Sequence, residues 1–246
     1  ALATAVWLPR HILNKLAYPA LFLSFLLLAL CVSPLGIKAN GASRWLPMGG
    51  FSLQPMEFAR IALVLYLAYF MSTKQEMIKS FTRGVIPPFV VTGALCYLLL
   101  LQPDFGGAML MFTLLFFMCL VGGTRFIYLF FAIGIGCAGA AALVIHSPYR
   151  VRRLLAFLDP FKDALDTGYH LVQSLYALGS GGFFGVGMGN SRQKMLYLPE
   201  AHNDFIMAVL GEEMGFIGIT LIMLLFAMLF RAATAPSWAS GIFATA

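Results

Sequence analysis

The feature that most constrains this chain is a succession of long apolar runs. A helix needs about 20 mostly apolar residues to cross the roughly 30 Å hydrocarbon core of a bilayer, and several runs reach or approach that length. Hydrophobic residues make up 61% of the sequence and charged residues 11%, against roughly 25% charged in soluble proteins. Since helices this apolar all round are normally buried in a membrane, the sequence predicts an integral membrane protein. The predicted spans are Ala17–Gly36, Glu57–Ser72, Val85–Leu101, Gly106–Val121, Phe126–Ile145 and Phe205–Phe230.

Short apolar stretches at both ends predict two further spans of which the chain holds only a part. Ala1–Leu8 has the pattern of the end of a span, and Trp238–Ala246 that of the beginning of one. The sequence shows neither an initiator Met nor a signal peptide. We therefore expect an all-α, polytopic helical bundle that forms one membrane domain over residues 1–246 and is truncated at both ends.

Basic residues predict the orientation of this bundle. Lys and Arg in short loops are retained in the cytoplasm, and by helix parity the basic short loops fall on one side. The opposite side then carries the segment Lys38–Met56, a turn at Asp104 and a large extracytoplasmic loop over residues 147–203. Within that loop, Tyr149–Phe161 has the basic, amphipathic pattern of an interfacial helix. The basic residues that set the orientation are Arg10, Lys15, Lys74, Lys79, Arg83, Arg125 and Arg231.

Polar residues gather on the predicted outer side. Asp204 lies where the large loop meets its helix, and Glu200 and His202 come just before it. An N-cap role would explain one such residue but not all three. A carboxylate can take a proton from an attacking hydroxyl, and Arg and Lys neutralise phosphoryl oxygens, so the pattern fits a lipid-linked pyrophosphate substrate. The other candidate substrate-binding residues are Arg44, Gln54, Arg60, Asp104, Arg153 and Lys194.

Two observations leave other roles open for some of these charges. Basic residues at a membrane surface also bind anionic lipid headgroups. Glu212 and Glu213 lie roughly 12 Å deeper than the candidate acid along the helix, where carboxyls are costly unless they face protein or water. They indicate either a functional site or a structural pairing with a base such as Arg60, although Arg60 can also pair with Glu57 one turn away.

The segment GVGMGN, Gly185–Asn190, approaches the glycine pattern of a dinucleotide-binding loop. Such a loop follows a strand and opens a helix in a βαβ unit, and no strand is predicted before it. We therefore expect no nucleotide cofactor. The net charge of +6 follows in part from the cytoplasmic loops and does not indicate a nucleic-acid partner.

Five segments resemble, in order, the motifs of the FtsW/RodA/SpoVE (SEDS) family. The resemblance extends through nearly the whole chain, and the last motif is highly specific. It implies the ten-span SEDS fold, about eight spans of which are visible here, in the bacterial cytoplasmic (inner) membrane. In the family the essential acid is the Asp of the last motif, which corresponds to Asp204. The segments are NGASRWLPMG, QPMEFAR, LLQPDFGGAML, GYHLVQSLYALGSGGFFGVGMGNS and YLPEAHNDFIMAVLGEEMG.

The resemblance implies a peptidoglycan glycosyltransferase that polymerises lipid II, an undecaprenyl-pyrophosphate-linked disaccharide peptide, on the extracytoplasmic face. The implied partners are a class B penicillin-binding protein transpeptidase, other divisome membrane proteins and membrane lipids. A divalent cation, Mg²⁺ or Mn²⁺, is the candidate cofactor. The motifs resemble the division branch of the family, FtsW, more than the elongation branch, RodA.

Two functions from other classes compete with this one. A lipid II flippase would need a polar path through the bilayer, whereas the strongest polar cluster is predicted on one face only. A scaffold that only recruits the transpeptidase would leave the cluster Glu200–Asp204 unexplained.

The orientation can be tested by cysteine labelling in intact cells. Because the basic loop around Lys74 is predicted to be cytoplasmic, a cysteine placed at Gln75 should be protected from an impermeant thiol reagent. A cysteine placed at Asp163, in the large outer loop, should react. The reverse labelling pattern would invert every predicted site.

Overall fold

The structure, a computed structural model, describes residues 10–34, 36–39, 42–48, 51–166, 168–192 and 205–234. The chain divides into two compact units, Ala1–Ala138 and Gly139–Ala246. Within the described part, five helices are long and apolar enough to cross a membrane, and a sixth apolar helix, Phe105–Val121, is shorter. The prediction of an integral membrane protein is thereby confirmed, while the partial spans predicted at both ends lie outside the described residues.

The first unit packs four helices around one apolar core. Its helices are α1 (Arg10–Val32), α2 (Pro55–Thr73), α3 (Ile86–Leu101) and α4 (Phe105–Val121), and α5 (Phe126–Ile145) follows. The π-helical turn Phe81–Val85 leads directly into α3, and the two together form the 21-residue candidate span Phe81–Leu101. Pro55 opens α2, where its missing N–H costs nothing because the first N–H groups of a helix have no partner within the helix. The fully buried core includes Leu28, Leu63, Leu67, Leu95, Leu99, Met111 and Leu115.

A buried polar contact fixes which helix ends lie together. The amide Nε2 of Gln102, just after α3, donates to the carbonyl oxygen of Leu28 near the end of α1 at 2.9 Å. Gln102 is only 2% exposed, and a buried amide is stable only when it is hydrogen-bonded. The ends of α1 and α3 therefore lie on the same side of the unit, as the helix parity predicted.

The predicted all-α helical class is confirmed, and a short antiparallel sheet that the sequence analysis did not predict follows α1. Strands β1 (Ile37–Ala39), β2 (Ala42–Met48) and β3 (Phe51–Leu53) pair in the order β1-β2-β3. Strands β1 and β3 have three residues each, too few to show the alternation by which strands are recognised in sequence, and the seven residues of β2, ASRWLPM, do not alternate between apolar and polar. The signals that could have revealed them are the dipeptides Asn40-Gly41 and Gly49-Gly50 between the strands, which are typical of two-residue hairpin connections.

The second unit shows that the predicted large loop is partly helical. Its described part contains α6 (Pro148–Leu158), a 3₁₀ turn (Pro160–Asp163) and α7 (Tyr169–Gly181). The amphipathic run predicted to lie at the membrane interface forms α6; its position relative to a membrane stays a prediction. The last helix among the described residues is α8 (Ile206–Thr234).

Helices α7 and α8 approach each other through glycine. A Cβ added to Gly181 would overlap the carbonyl oxygen of Gly211 and would lie 2.9 Å from the Cα of Glu212. Ala177 of α7 and Ala208 of α8 are buried in the same contact. The small residues therefore allow the two backbones to approach more closely than larger side chains would permit.

Two glycines of α7 provide a matched test of this packing. Gly181→Ala should destabilise the protein by about 1–3 kcal/mol because the new methyl group overlaps backbone atoms that cannot move aside. Gly179→Ala should cause no loss, since a Cβ there meets nothing within 4 Å and alanine favours a helix. Thermal unfolding in detergent measures both. Equal stability of the two variants would show that α7 and α8 are not in close contact.

Candidate functional site

Four of the predicted site residues lie outside the described part of the chain. Asp204, Glu200, His202 and Lys194 all fall within residues 193–204. Their roles stay predictions. The structure describes the residues on both sides of this segment and the other predicted site residues.

Arg44 and Asp104, both predicted to bind substrate, lie next to each other in the first unit. Asp104 caps α4, and its Oδ1 accepts a hydrogen bond from the main-chain N–H of Gly107 at 3.1 Å. Arg44, on β2, places Nη2 3.7 Å from the same Oδ1 and donates to the carbonyl oxygen of Pro103 at 2.9 Å. Asp104 is 6% exposed, whereas the side chain of Arg44 is 42% exposed. The carboxylate therefore caps α4 beside a guanidinium that remains accessible to a ligand, and a contact of Asp104 with substrate stays a prediction.

Gln54 and Arg60 belong to the beginning of α2. Gln54 occupies the position before the helix and makes no capping hydrogen bond with its side chain. Arg60 pairs with Glu57 one turn earlier, as predicted from their spacing. Among the described residues, the Nε atoms of Arg44 and Arg60 are both buried without a hydrogen-bond partner, so each guanidinium has unused donor capacity.

Arg153, the remaining described candidate, belongs to the second unit. It lies on α6 with its guanidinium 4.7 Å from the ring centroid of Tyr149, a cation–π distance. The neighbouring Arg150 donates to the carbonyl oxygen of Leu143 on α5 at 2.9 Å. The helix that carries Arg153 is thus tied to the end of α5.

Helix α8 is broken at Gly215, where the backbone has φ 66° and ψ −166°. The glycine-rich segment after α7 hydrogen-bonds the main chain on both sides of the break. The N–H groups of Val186 and Gly187 donate to the carbonyl oxygens of Glu212 and Glu213 at 2.9 and 3.1 Å. Broken helices are tolerated at membrane depth where protein satisfies the freed backbone groups.

The second half of α8 is satisfied in the same way. Phe216 N–H donates to the carbonyl oxygen of Gly182 at 2.9 Å, and Ile217 N–H donates to that of Phe183 at 3.2 Å. The segment also needs glycine for its conformation, because φ is positive at four of its positions, a region that other residues rarely adopt. The pattern that resembled a dinucleotide loop therefore has a structural explanation. The positive-φ glycines of the segment are Gly182, Gly185, Gly187 and Gly189.

Glu212 has a role that the sequence did not reveal. Its side chain is 2% exposed, and Oε2 accepts a hydrogen bond from Ser191 Oγ at 2.5 Å. Oε1 accepts a hydrogen bond from the main-chain N–H of Arg192 at 3.1 Å. The sequence left open a structural pairing of Glu212 with a base such as Arg60; the contacts described here are with a hydroxyl and a main-chain amide, and Arg60 pairs with Glu57. The serine and the glutamate are 21 residues apart, and no sequence pattern connects them.

Within the described ranges, no three His, Cys, Asp or Glu side chains cluster as metal ligands. The described residues therefore do not fit a divalent cation by themselves. The cation stays a prediction, to be tested on the segment that carries Glu200, His202 and Asp204.

Comparison with known proteins identifies the family from sequence. Residues 2–238 match the model of the FtsW/RodA/SpoVE family of cell cycle proteins. The probable peptidoglycan glycosyltransferase FtsW of Trichlorobacter lovleyi is 45% identical over 221 residues, which cover 89% of this chain and 58% of the relative. Stage V sporulation protein E of Bacillus subtilis is 43% identical over 205 residues, covering 83% and 56%. The chain thus spans somewhat more than half the length of these relatives.

Solved structures agree with the sequence comparison. A chain of a peptidoglycan synthase complex that coordinates polymerization and crosslinking matches with a TM-score of 0.69 and 29% identity, covering 96% of this chain and 67% of that one. The rod shape determining protein RodA of Thermus thermophilus matches with a TM-score of 0.60 and 28% identity, covering 96% and 62%. Sequence and fold together show that this chain belongs to the FtsW/RodA/SpoVE family.

Proposed function

We propose that this protein is a peptidoglycan glycosyltransferase that polymerises lipid II into glycan strands on the outer face of the bacterial cytoplasmic membrane. The observation that carries the proposal is the family match over residues 2–238, which includes the motif of Asp204. The proposed role is in cell division, because relatives named FtsW are 41–45% identical, whereas the matched RodA structure is 28% identical.

The proposed reaction is glycosyl transfer with inversion at the anomeric carbon. Asp204 takes the proton from the 4-hydroxyl of the acceptor sugar as that oxygen attacks the sugar carbon that bears undecaprenyl pyrophosphate. The bond from this carbon to the pyrophosphate oxygen breaks, and the lipid pyrophosphate leaves with the bonding electrons. Glu200 and His202 position the acid and the acceptor.

Basic residues stabilise the charge that develops on the leaving group. Arg44, Arg153 and Lys194 are the proposed contacts to its phosphoryl oxygens. The geometry of Arg44 supports its assignment, because Asp104 and the carbonyl of Pro103 hold one edge of the guanidinium while the side chain stays accessible. A divalent cation would add to this neutralisation when bound; the steps above use protein side chains alone.

The proposed partner is a class B penicillin-binding protein transpeptidase, with other divisome membrane proteins nearby. The fold match to a chain of a complex that polymerises and crosslinks peptidoglycan supports this pairing. Helices α5 and α8 expose large apolar side chains, including Phe130, Ile135 and Phe226, which lipid tails or a partner's membrane helix can cover.

The acid is tested by Asp204→Asn in the full-length protein, reconstituted with its transpeptidase partner and lipid II. The amide still caps a helix but no longer accepts the proton, so polymerisation should fall by roughly 10²–10⁴-fold while lipid II binding persists. Asp166→Asn is the matched control, because Asp166 is an exposed acid of the second unit with no assigned role. It should polymerise at the wild-type rate.

The same assay separates the competing functions. A flippase makes no glycan strands as wild type or as a variant. If the protein is only a scaffold, its recruitment of the transpeptidase does not change in Asp204→Asn as long as the variant folds. A folded Asp204→Asn variant that polymerises at the wild-type rate would remove Asp204 from the mechanism.

Arg44 is tested by Arg44→Ala in the same reconstituted system. Loss of a charge-assisted hydrogen bond to the pyrophosphate should weaken the apparent affinity for lipid II by about 10-fold or more. The fold should survive, since Asp104 keeps its bond to Gly107. Arg152→Ala, which removes an exposed arginine of α6 with no assigned role, serves as the control. Equal KM values for the two variants would remove Arg44 from the substrate site.

A further inference from the structure

Five exposed basic side chains come together at one end of the first unit, where α1 begins and α2 ends. They belong to three separate segments: the beginning of α1, the connection between α2 and α3, and the residue before α5. None of them forms an ion pair with a carboxylate within the described part of the chain. We call this surface the basic end; its members are Lys15, Lys74, Lys79, Arg83 and Arg125.

Helix packing brings the first two of these bases together. The ring centroid of Tyr18 on α1 lies 5.6 Å from that of Tyr69 on α2. Lys15 comes about one helical turn before Tyr18. Lys74 follows the end of α2, and its Nζ lies 5.0 Å from the ring centroid of Phe70. The beginning of α1 therefore lies beside the end of α2.

The connection between α2 and α3 is held against the apolar core. Ile78 is only 3% exposed and belongs to the core cluster. A Cβ added to Gly84 would overlap the carbonyl oxygen of Met77, so the connection is also tightly folded on itself. Lys79 and Arg83 each lie next to one of the buried residues and are themselves exposed. These two charges therefore belong to a packed turn.

Contacts with α5 and with the turn before it bring Arg125 to the same surface. The ring centroid of Phe81, in the connection, lies 5.3 Å from that of Tyr128 on α5. A Cβ added to Gly122, in the turn between α4 and α5, would lie 2.6 Å from the Sδ of Met71 on α2. Arg125 lies between these two contacts in the sequence. The bases of all three segments thus occupy one end of the unit.

Little acid is available to neutralise the basic end. The first unit contains three acids. Glu57 lies near the beginning of α2 and Asp104 just before α4, at the ends of those helices away from the basic end. Of the three, Glu76 alone lies among the five bases. The excess of positive charge creates a potential that attracts anions.

The helices that carry the basic end place it at a membrane surface. Candidate membrane spans end or begin directly beside its members: one ends at Thr73, one begins at Phe81 and one begins at Phe126. The side chains of Phe81 and Phe126 are 53% and 78% exposed, so apolar surface adjoins the charges. A phospholipid matches both features, with an anionic headgroup at the bases and acyl chains against the apolar side chains.

We propose that the basic end is a binding surface for anionic phospholipids of the membrane that the protein spans. Clusters of Lys and Arg beside membrane helices attract anionic headgroups, and each base near the surface adds to the attraction. A zwitterionic phospholipid has the same phosphate, but its quaternary ammonium group cancels the charge. The surface therefore selects lipids by net charge. This binding is independent of the proposed glycosyl transfer.

Lipid binding is measured on the full-length protein by native mass spectrometry in a neutral detergent. The wild type is titrated with phosphatidylglycerol and, separately, with phosphatidylcholine of the same acyl chains. It should bind phosphatidylglycerol roughly 10-fold or more tightly, because several bases contribute about a factor of five each.

Substitutions at two of the bases test whether the basic end carries this preference. Lys79→Gln and Arg83→Gln each remove one exposed charge and should weaken phosphatidylglycerol binding by roughly five-fold, with phosphatidylcholine binding unchanged. Lys79→Arg keeps the charge and should bind as the wild type does. Arg152→Gln, which removes an exposed arginine of the second unit, is the matched control and should also bind as the wild type does. Thermal unfolding in the same detergent checks that every variant is folded.

Three results would overturn the proposal. Equal affinity of the wild type for the two lipids would show that the surface does not select charge. An equal loss of affinity in Arg152→Gln and in the two basic-end variants would show a general attraction to surface cations. Inorganic phosphate is the competitor: if it displaces phosphatidylglycerol, the basic end binds soluble phosphate and not a lipid.

Discussion

The arrangement of the second unit depends on the exchange of main-chain hydrogen bonds between the glycine-rich segment after α7 and the broken helix α8. A helix that breaks at Gly215 leaves carbonyl and N–H groups without partners inside the helix. In a membrane each such group would cost several kcal/mol. The segment from Gly182 to Gly187 contributes donors on one side of the break and acceptors on the other. Only glycine permits this approach, because a Cβ on Gly185 would overlap the carbonyl oxygen of Glu213.

Glu212 contributes to this packing through both its main chain and its side chain. Its main-chain carbonyl takes part in the helix–segment contact, and its side chain binds Ser191 and Arg192. One residue of α8 thus contacts the glycine-rich segment through its main chain and Ser191 and Arg192 through its side chain. Asp104 of the first unit likewise makes two contacts: its carboxylate caps α4 and lies next to the guanidinium of Arg44. In both units a buried acid thus accepts hydrogen bonds that hold the local structure.

The sequence predicted the long helices of the fold, but it did not predict the short strands or the contacts made at the break in α8. Long apolar runs identified the spans because burial in lipid imposes length and composition on a helix. The pairing of Glu57 with Arg60 followed from their spacing on one helix. Strands β1 and β3 were missed because they have only three residues each, and β2 because its sequence does not alternate between apolar and polar residues. The contact of Ser191 with Glu212 was missed because tertiary packing brings together residues that no local pattern relates. The glycines of Gly185–Asn190 were recognised as unusual, but their function as partners of a broken helix required the position of α8.

The central claim, that the glycine-rich segment completes the broken helix, is tested most directly by amide hydrogen exchange in the full-length protein in lipid. The account predicts that the amides of Val186 and Gly187 exchange as slowly as those within α7, because both donate to carbonyl oxygens of α8. They should exchange far more slowly than the amides of the exposed turn around Leu165, whose side chain is 93% exposed. Exchange of Val186 and Gly187 at the rate of that turn would contradict the account.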